Sequence, residues 1–100
     1  MKETRYRESR VCRVLGNPLA YGVIVKLLES GAQTPSQLAS HIRRSVPTVS
    51  HTLSNLRLAD LVRFDRSGRT ALYRIKYPKE MRKLLNALEK FNDATRRVGK

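Results

Sequence analysis

The residues best suited to chemistry lie on one face of a helical pattern between Val46 and Ala59. Apolar residues with i, i+4 and i+7 spacing form the opposite face, at Val49, Leu53 and Leu56. The chemical face carries short polar side chains: Thr48, Ser50, His51, Ser54 and Asn55. Such side chains can approach base edges in the major groove, and asparagine can pair with adenine. An ordinary solvated helix face is rich in Glu and Lys. This face contains neither, so we interpret the segment as a DNA recognition helix.

Side chains suited to phosphate contact flank these polar residues. They are Thr34, Arg43, Arg44 and Arg57. Arginine and short hydroxyl side chains make many of the backbone contacts that position a protein on DNA. We therefore predict that these four residues hold the recognition helix in register.

A β-hairpin is predicted after the recognition helix. Residues 61–66 and 70–77 alternate in polarity, and Ser67-Gly68 supplies the turn between them. The candidate DNA contacts of this wing are Arg63, Arg66, Ser67 and Arg69. An arginine at a hairpin tip suits a narrow, electronegative minor groove. The alternative is that the positive charge only protects a strand edge from aggregation, and the two roles are compatible.

The elements that must position these residues are marked by helix-start signals. Asn17-Pro18 combines an N-cap with a first-turn proline, Thr34-Pro35-Ser36-Gln37 is a capping box, and Ser45 is a further N-cap candidate. The apolar patterns between these signals predict helices over about 8–15, 18–30, 35–42, 46–59 and 79–97. The predicted fold is α+β and mainly α: a winged helix-turn-helix with about five helices plus a two-stranded β-hairpin wing, forming one domain over residues 1–100.

The charge balance indicates a polyanionic partner. The chain has 21 Lys and Arg residues against 8 Asp and Glu, a formal net charge of +13. Charge of this size attracts polyanions, with nucleic acid the first candidate and an anionic membrane surface the second. No apolar run approaches the ~20 residues of a membrane span, and the charged N-terminus lacks a signal-peptide pattern. We expect a cytoplasmic, nucleoid-associated protein without a membrane role.

Enzymatic and metal chemistry find no support in the sequence. We find no nucleophile–base pairing, no Gly-rich phosphate loop and no inward carboxylate pair. His41 and His51 are isolated, Cys12 is the single cysteine, and a metal site needs several convergent donors. We predict that the chain is not an enzyme and uses no cofactor and no metal.

The last predicted helix carries an apolar stripe that is too long for a small core to cover. The stripe consists of Met81, Leu84, Leu85, Leu88 and Phe91. Val11 and Val14 form a shorter stripe on the first helix. Apolar stripes that the chain's own core does not cover are typical of a dimer interface. We predict a homodimer held by the two terminal helices.

Several motifs between Val11 and Leu88 resemble the ArsR family of winged-helix repressors. They are Leu15-Gly16-Asn17-Pro18, Gln37-Leu38-Ala39, the run from Ser45 to Leu56, Leu58-Ala59-Asp60-Leu61-Val62 and Leu72-Tyr73-Arg74-Ile75. The resemblance implies a homodimer formed by the first and last helices. Members that sense metals carry a cysteine pair in the third helix, or His and acidic ligands in the last. Here the third helix has no cysteine and the last has no histidine, so that role is not implied.

These observations predict a sequence-specific regulator of transcription that binds double-stranded DNA as a homodimer. The recognition helix would enter the major groove, and the wing would contact the backbone or the minor groove. The alternative is an architectural, largely non-sequence-specific chromatin or RNA-binding protein. The polar recognition face favours the first function and the high charge favours the second. A specific binder prefers its site over bulk DNA by roughly 10³ or more.

Overall fold

A computed structural model describes residues 3–98 of the chain and the side chains of residues 5–96. The elements run in the order α1 Glu3–Leu15, α2 Pro18–Ser30, α3 Pro35–Ile42, α4 Val46–Leu58, β1 Val62–Ser67, β2 Thr70–Ile75 and α5 Pro78–Val98. The predicted α+β architecture of five helices and one β-hairpin is confirmed. The first helix begins at Glu3 rather than near residue 8, so the charged residues before residue 8 form its first turns. The second strand ends at Ile75, two residues earlier than predicted.

Side-chain caps fix where α2, α3 and α4 begin. Asn17 Oδ1 accepts hydrogen bonds from the backbone N–H groups of the α2 first turn at 2.9 and 3.1 Å. Thr34 Oγ1 accepts from Gln37 N–H at 3.1 Å, and Gln37 Oε1 accepts from Thr34 N–H at 2.9 Å. Ser45 Oγ accepts from Thr48 N–H at 3.3 Å. Each cap satisfies backbone donors that a helix start would otherwise leave unpaired, so the predicted starts are confirmed.

The core joins α2, α3, α4 and the wing. Its fully buried side chains are Val23, Ile24, Leu38, Val49, Leu53, Leu56 and Val62. The three α4 members are the stripe that the sequence predicted. Thr52 is also buried, at 9% exposure, and the apolar pattern could not identify it because its side chain is polar. The buried stripe orients α4, so that the side opposite the stripe faces solvent.

The predicted hairpin is present and antiparallel. Val62 pairs with Ile75, and Phe64 pairs with Tyr73 with 5.3 Å between their ring centroids. Gln33 extends the sheet from the segment before α3, because its N–H and C=O both bond to the backbone of Tyr73, at 3.0 and 2.8 Å. The base of the wing is therefore fixed to the helix-turn-helix rather than hinged on a free loop.

Helix α5 is less enclosed than the other helices. Met81 is buried in the core and Leu85 is half-buried against it, but the described residues after Leu85 are exposed. The Cα radius of gyration is 14.7 Å, larger than the roughly 13 Å expected of a compact 100-residue chain. A helix that extends away from the core accounts for this difference.

Within residues 3–98, no single helix is long and apolar enough to cross a membrane. The segments Arg5–Leu15 and Pro18–Ser30 meet that criterion only as a joined pair, bent by 91°.

The junction between α4 and the wing depends on Asp60. This residue has φ of 66°, a left-handed conformation that aspartate tolerates better than most residues. Its N–H bonds to Arg57 C=O at 2.9 Å, and its carboxylate accepts a hydrogen bond from Lys76 Nζ. That hydrogen bond, opposed by partial burial and helped by Tyr77, raises the pKa of Lys76 above its ordinary 10.5. The pair therefore stabilises the folded chain below about pH 10.5, and this contribution is lost as the pH rises through the raised pKa.

The positive φ of Asp60 can be tested with two substitutions that both delete the carboxylate. Asp60→Ala should be less stable to unfolding than Asp60→Gly by about 1 kcal/mol, because alanine resists the left-handed region and glycine does not. Urea denaturation of both variants measures the difference. Equal stability, or a more stable alanine variant, would show that the turn does not require this conformation.

Candidate nucleic-acid interface

The polar face of α4 consists largely of side chains without partners. Ser50 and Ser54 are half-buried, while His51 and Asn55 are exposed. Within residues 5–96, none of these four side chains makes a hydrogen bond. Their hydroxyl, imidazole and amide groups are therefore available to an external partner. The helix orients them away from the buried stripe, as the sequence predicted.

Thr48, the fifth predicted recognition residue, differs from these four. Its hydroxyl lies 2.7 Å from Ser45 Oγ, and its N–H bonds to the same oxygen. Thr48 is exposed, but its hydroxyl already belongs to the N-cap of α4. Any hydrogen bond from the Thr48 hydroxyl to a partner must therefore form beside, or replace, its bond to Ser45.

The turn before α4 presents two arginines. Arg43 has φ of 62°, which reverses the chain after α3, and its N–H bonds to Ala39 C=O at 2.8 Å. Arg44 N–H bonds to the same carbonyl at 3.1 Å. Both side chains are exposed, and no described carboxylate forms a salt bridge with either. Their charge is therefore not neutralised by a described carboxylate. The sequence predicted the turn but gave no sign of the left-handed arginine.

The other two predicted phosphate-contacting residues have contacts within the chain. Thr34 is half-buried and caps α3. Its oxygen accepts from Gln37, which leaves its hydroxyl hydrogen free to donate. The guanidinium carbon of Arg57 lies 5.5 Å from the centroid of the Phe64 ring. This cation–π contact places Arg57 against β1 and links α4 with the wing.

The charges of the wing are divided between paired strand residues and an unpaired tip. Arg74 forms a 3.0 Å ion pair with Asp65, and Lys76 bonds to Asp60. Neither pair was predicted from the sequence, because the partners are 9 and 16 residues apart. The predicted contact residues of the wing are all exposed: Arg63, Arg66, Ser67 and Arg69. Within residues 5–96, none of the three arginines among them has a salt-bridge partner. The uncompensated charge therefore lies at the predicted positions.

A further contact holds the far end of α4. Arg10 of α1 donates a hydrogen bond to the carbonyl oxygen of Leu58 at 2.9 Å. A cation at a helix C-terminus bonds an otherwise unpaired carbonyl and interacts favourably with the helix dipole. The residues are 48 positions apart, so no local pattern could have identified the contact. It connects a terminal helix directly with the predicted recognition helix.

An open groove of about 900 Å³ lies between α1, α2 and α5, and α4 contributes none of its lining. Leu84, Leu88 and Phe91 line it from α5 and are 38%, 41% and 72% exposed. Val11 lines it from α1 and, like Val14 and Leu85, is half-buried against the core. The prediction that Met81 belongs to the dimer interface must be corrected. Its side chain is only 6% exposed and packs within the core of its own chain. The predicted interface therefore loses Met81.

Among residues 5–96, no three His, Cys, Asp or Glu side chains lie close enough to hold a metal ion. That no metal or cofactor is needed stays a prediction.

Comparison with known proteins shows that part of the chain is similar to a known family. Residues 23–63, from the middle of α2 to the start of the wing, match the model for bacterial regulatory proteins of the arsR family. No curated protein matches the chain significantly.

Solved structures match most of the chain. The transcriptional repressor BigR from Xylella fastidiosa is 28% identical, with a TM-score of 0.75 over 89% of this chain and 90% of that one. NolR from Sinorhizobium fredii is 25% identical, with a TM-score of 0.78 over 89% and 87%. The homodimeric winged helix-turn-helix DNA-binding domain of Mb0332 from Mycobacterium bovis is 22% identical, with a TM-score of 0.75 over 87% and 82%.

The family match covers the turn after α3, helix α4 and the start of the hairpin. These parts carry the polar face of α4 and much of the unpaired positive charge of the described residues. The structural matches extend over the terminal helices. Over residues 23–63 the chain is therefore similar to bacterial regulatory proteins of the arsR family, and its fold is that of winged helix-turn-helix regulators.

Proposed function

We propose that this regulator binds double-stranded DNA sequence-specifically as a homodimer. Helix α4 enters the major groove, and the wing contacts the backbone or the minor groove. The observation that carries this proposal is the α4 face, where four adjacent polar side chains lack partners within the described chain and arginines stand at the preceding turn. The whole chain acts as one domain, without catalysis or cofactor, in the cytoplasm at the nucleoid.

The α4 face favours recognition of bases over general attraction to phosphate. Between Val46 and Leu56 there is no charged side chain, so this stretch contributes no direct ion pair with a phosphate. Its hydroxyl and amide groups can instead donate to and accept from base edges. Architectural binding depends mainly on contacts between cationic side chains and phosphate, and this stretch contributes none of them.

Phosphate contacts are assigned to residues before α4, in its last turn and in the wing. Arg43 and Arg44 project from the turn, and Thr34 retains a hydroxyl hydrogen at the start of α3. Arg57 is steadied by Phe64. These positions would fix the register of α4, while Arg66 and Arg69 extend the contact to the groove beside it.

The homodimer is assigned to the groove of α1 and α5. Its exposed lining is apolar, and a monomer would leave Phe91 largely in water and Leu84 and Leu88 partly so. Apolar patches of this kind mark protein interfaces. Mb0332, whose structural match extends over 87% of this chain, is described as homodimeric. A second copy on this groove would leave both α4 faces free for two half-sites.

Mutations of the helix and of the wing should affect DNA binding differently. Asn55→Ala or Ser50→Ala should lower the preference for a selected site over random DNA by about 1–3 kcal/mol, because each removes a base contact. Arg66→Ala or Arg69→Ala should weaken all duplexes evenly and reduce the slope of log affinity against log salt by roughly 0.9 for each phosphate that is no longer neutralised. Competition titrations at several salt concentrations measure both quantities.

Arg13→Ala is the control for the wing variants, because it removes the same charge from an exposed site on α1. It should change the salt slope less than either wing variant. If Asn55→Ala and Ser50→Ala both leave the specific-to-random ratio unchanged, α4 does not recognise bases. Architectural binding would then be the better account.

The dimer can be tested at Leu88. Leu88→Asp should weaken self-association by roughly tenfold or more, since a carboxylate would be desolvated in an apolar interface. Leu88 is 41% exposed, so the protomer should still fold. Lys90→Asp places the same carboxylate on α5 outside the groove lining and should leave association nearly unchanged. Sedimentation equilibrium measures all three proteins. A purely monomeric parent chain at micromolar concentration would contradict the proposal.

A further inference from the structure

Val46 is an exposed apolar residue at the first position of α4. Its side chain is 42% exposed, and the exposed Pro47 follows it. Neither side chain can form a hydrogen bond, and proline also lacks a backbone N–H. The first turn of α4 therefore presents a hydrocarbon surface at the end of the helix that would meet the bases.

The neighbouring hydroxyl groups do not alter this surface much. Ser45 and Thr48 bond to each other at 2.7 Å, which uses one of their two hydroxyl hydrogens. Ser50 lies one turn further along on the same side as Val46, at i+4 spacing. It is the first unpartnered hydroxyl on that side within the described chain. An apolar contact therefore precedes a polar one along α4.

The absence of charge limits which bases this turn can recognise. Guanine is recognised chiefly by arginine or lysine, and the amino group of cytosine by aspartate or glutamate. None of these side chains occurs from Val46 to Leu56. The apolar group that an unmodified base pair presents in the major groove is the C5-methyl of thymine. The chemistry of Val46 is complementary to that methyl group.

We propose that Val46, with Pro47 beside it, contacts a thymine methyl group and so selects an A·T pair beneath the first turn of α4 in each half-site. The inference rests on the proposed function, because it requires α4 in the major groove. It adds a specificity-determining residue and the base that this residue selects.

Uracil substitution provides the test, because uracil keeps the hydrogen-bonding groups of thymine and lacks only the methyl. In a duplex selected for binding, each thymine of one half-site is replaced by uracil in turn. At one or two positions the affinity should fall about fourfold, the value of one buried methyl group. Val46→Ala should lower affinity for the parent duplex by a similar factor and remove the uracil effect at those positions. Val46→Ile, which keeps the branched hydrocarbon, should retain the effect.

The outcomes separate this inference from the proposed function. If no uracil duplex binds more weakly than its parent, or if Val46→Ala keeps the full uracil effect, Val46 does not contact thymine. The proposed function would stand in both cases, because the selected duplex would still outcompete random DNA. If the selected duplex does not outcompete random DNA, both proposals fail. Circular dichroism of Val46→Ala should match the parent, since Val46 lies outside the buried core.

Discussion

The buried stripe of α4 is the constraint on which the rest of the structure depends. Val49, Leu53 and Leu56 are fully buried, and replacing such a leucine by alanine typically costs about 2–5 kcal/mol. A helix held this firmly cannot rotate about its axis. Rotation by a single residue, about 100°, would bury polar side chains and expose the stripe. The packing that stabilises the fold therefore also selects the face presented to a partner.

The two ends of α4 are fixed by different parts of the chain. At its start, the left-handed Arg43 and the Ser45 cap set the direction of entry. At its end, Asp60 turns the chain into the wing and bonds to Lys76, while Arg10 bonds to the carbonyl of Leu58. Direct hydrogen bonds therefore link α4 with α1 and its end with the wing. In a dimer formed through α1, the hydrogen bond between Arg10 and Leu58 would make the distance between the two α4 helices depend on how the protomers pack.

Much of the fold could be predicted because its signals are local. The capping box at Thr34, the Asn17 cap and the turn at Gly68 each need only neighbouring residues, and all are present in the structure. The burial of Met81 was missed because an amphipathic stripe shows that a face is apolar without showing which part meets its own core. The Arg10–Leu58 and Arg74–Asp65 contacts join distant residues, and local periodicity contains no information about them.

The central claim is that two α4 helices recognise a DNA sequence together. Selection from random duplexes at physiological salt, followed by sequencing, tests it most directly. The account predicts an enriched inverted repeat whose half-site centres lie about 10 base pairs, or a multiple of that, apart. Recovery of no enriched sequence, with random duplexes bound as tightly as any selected one, would contradict it.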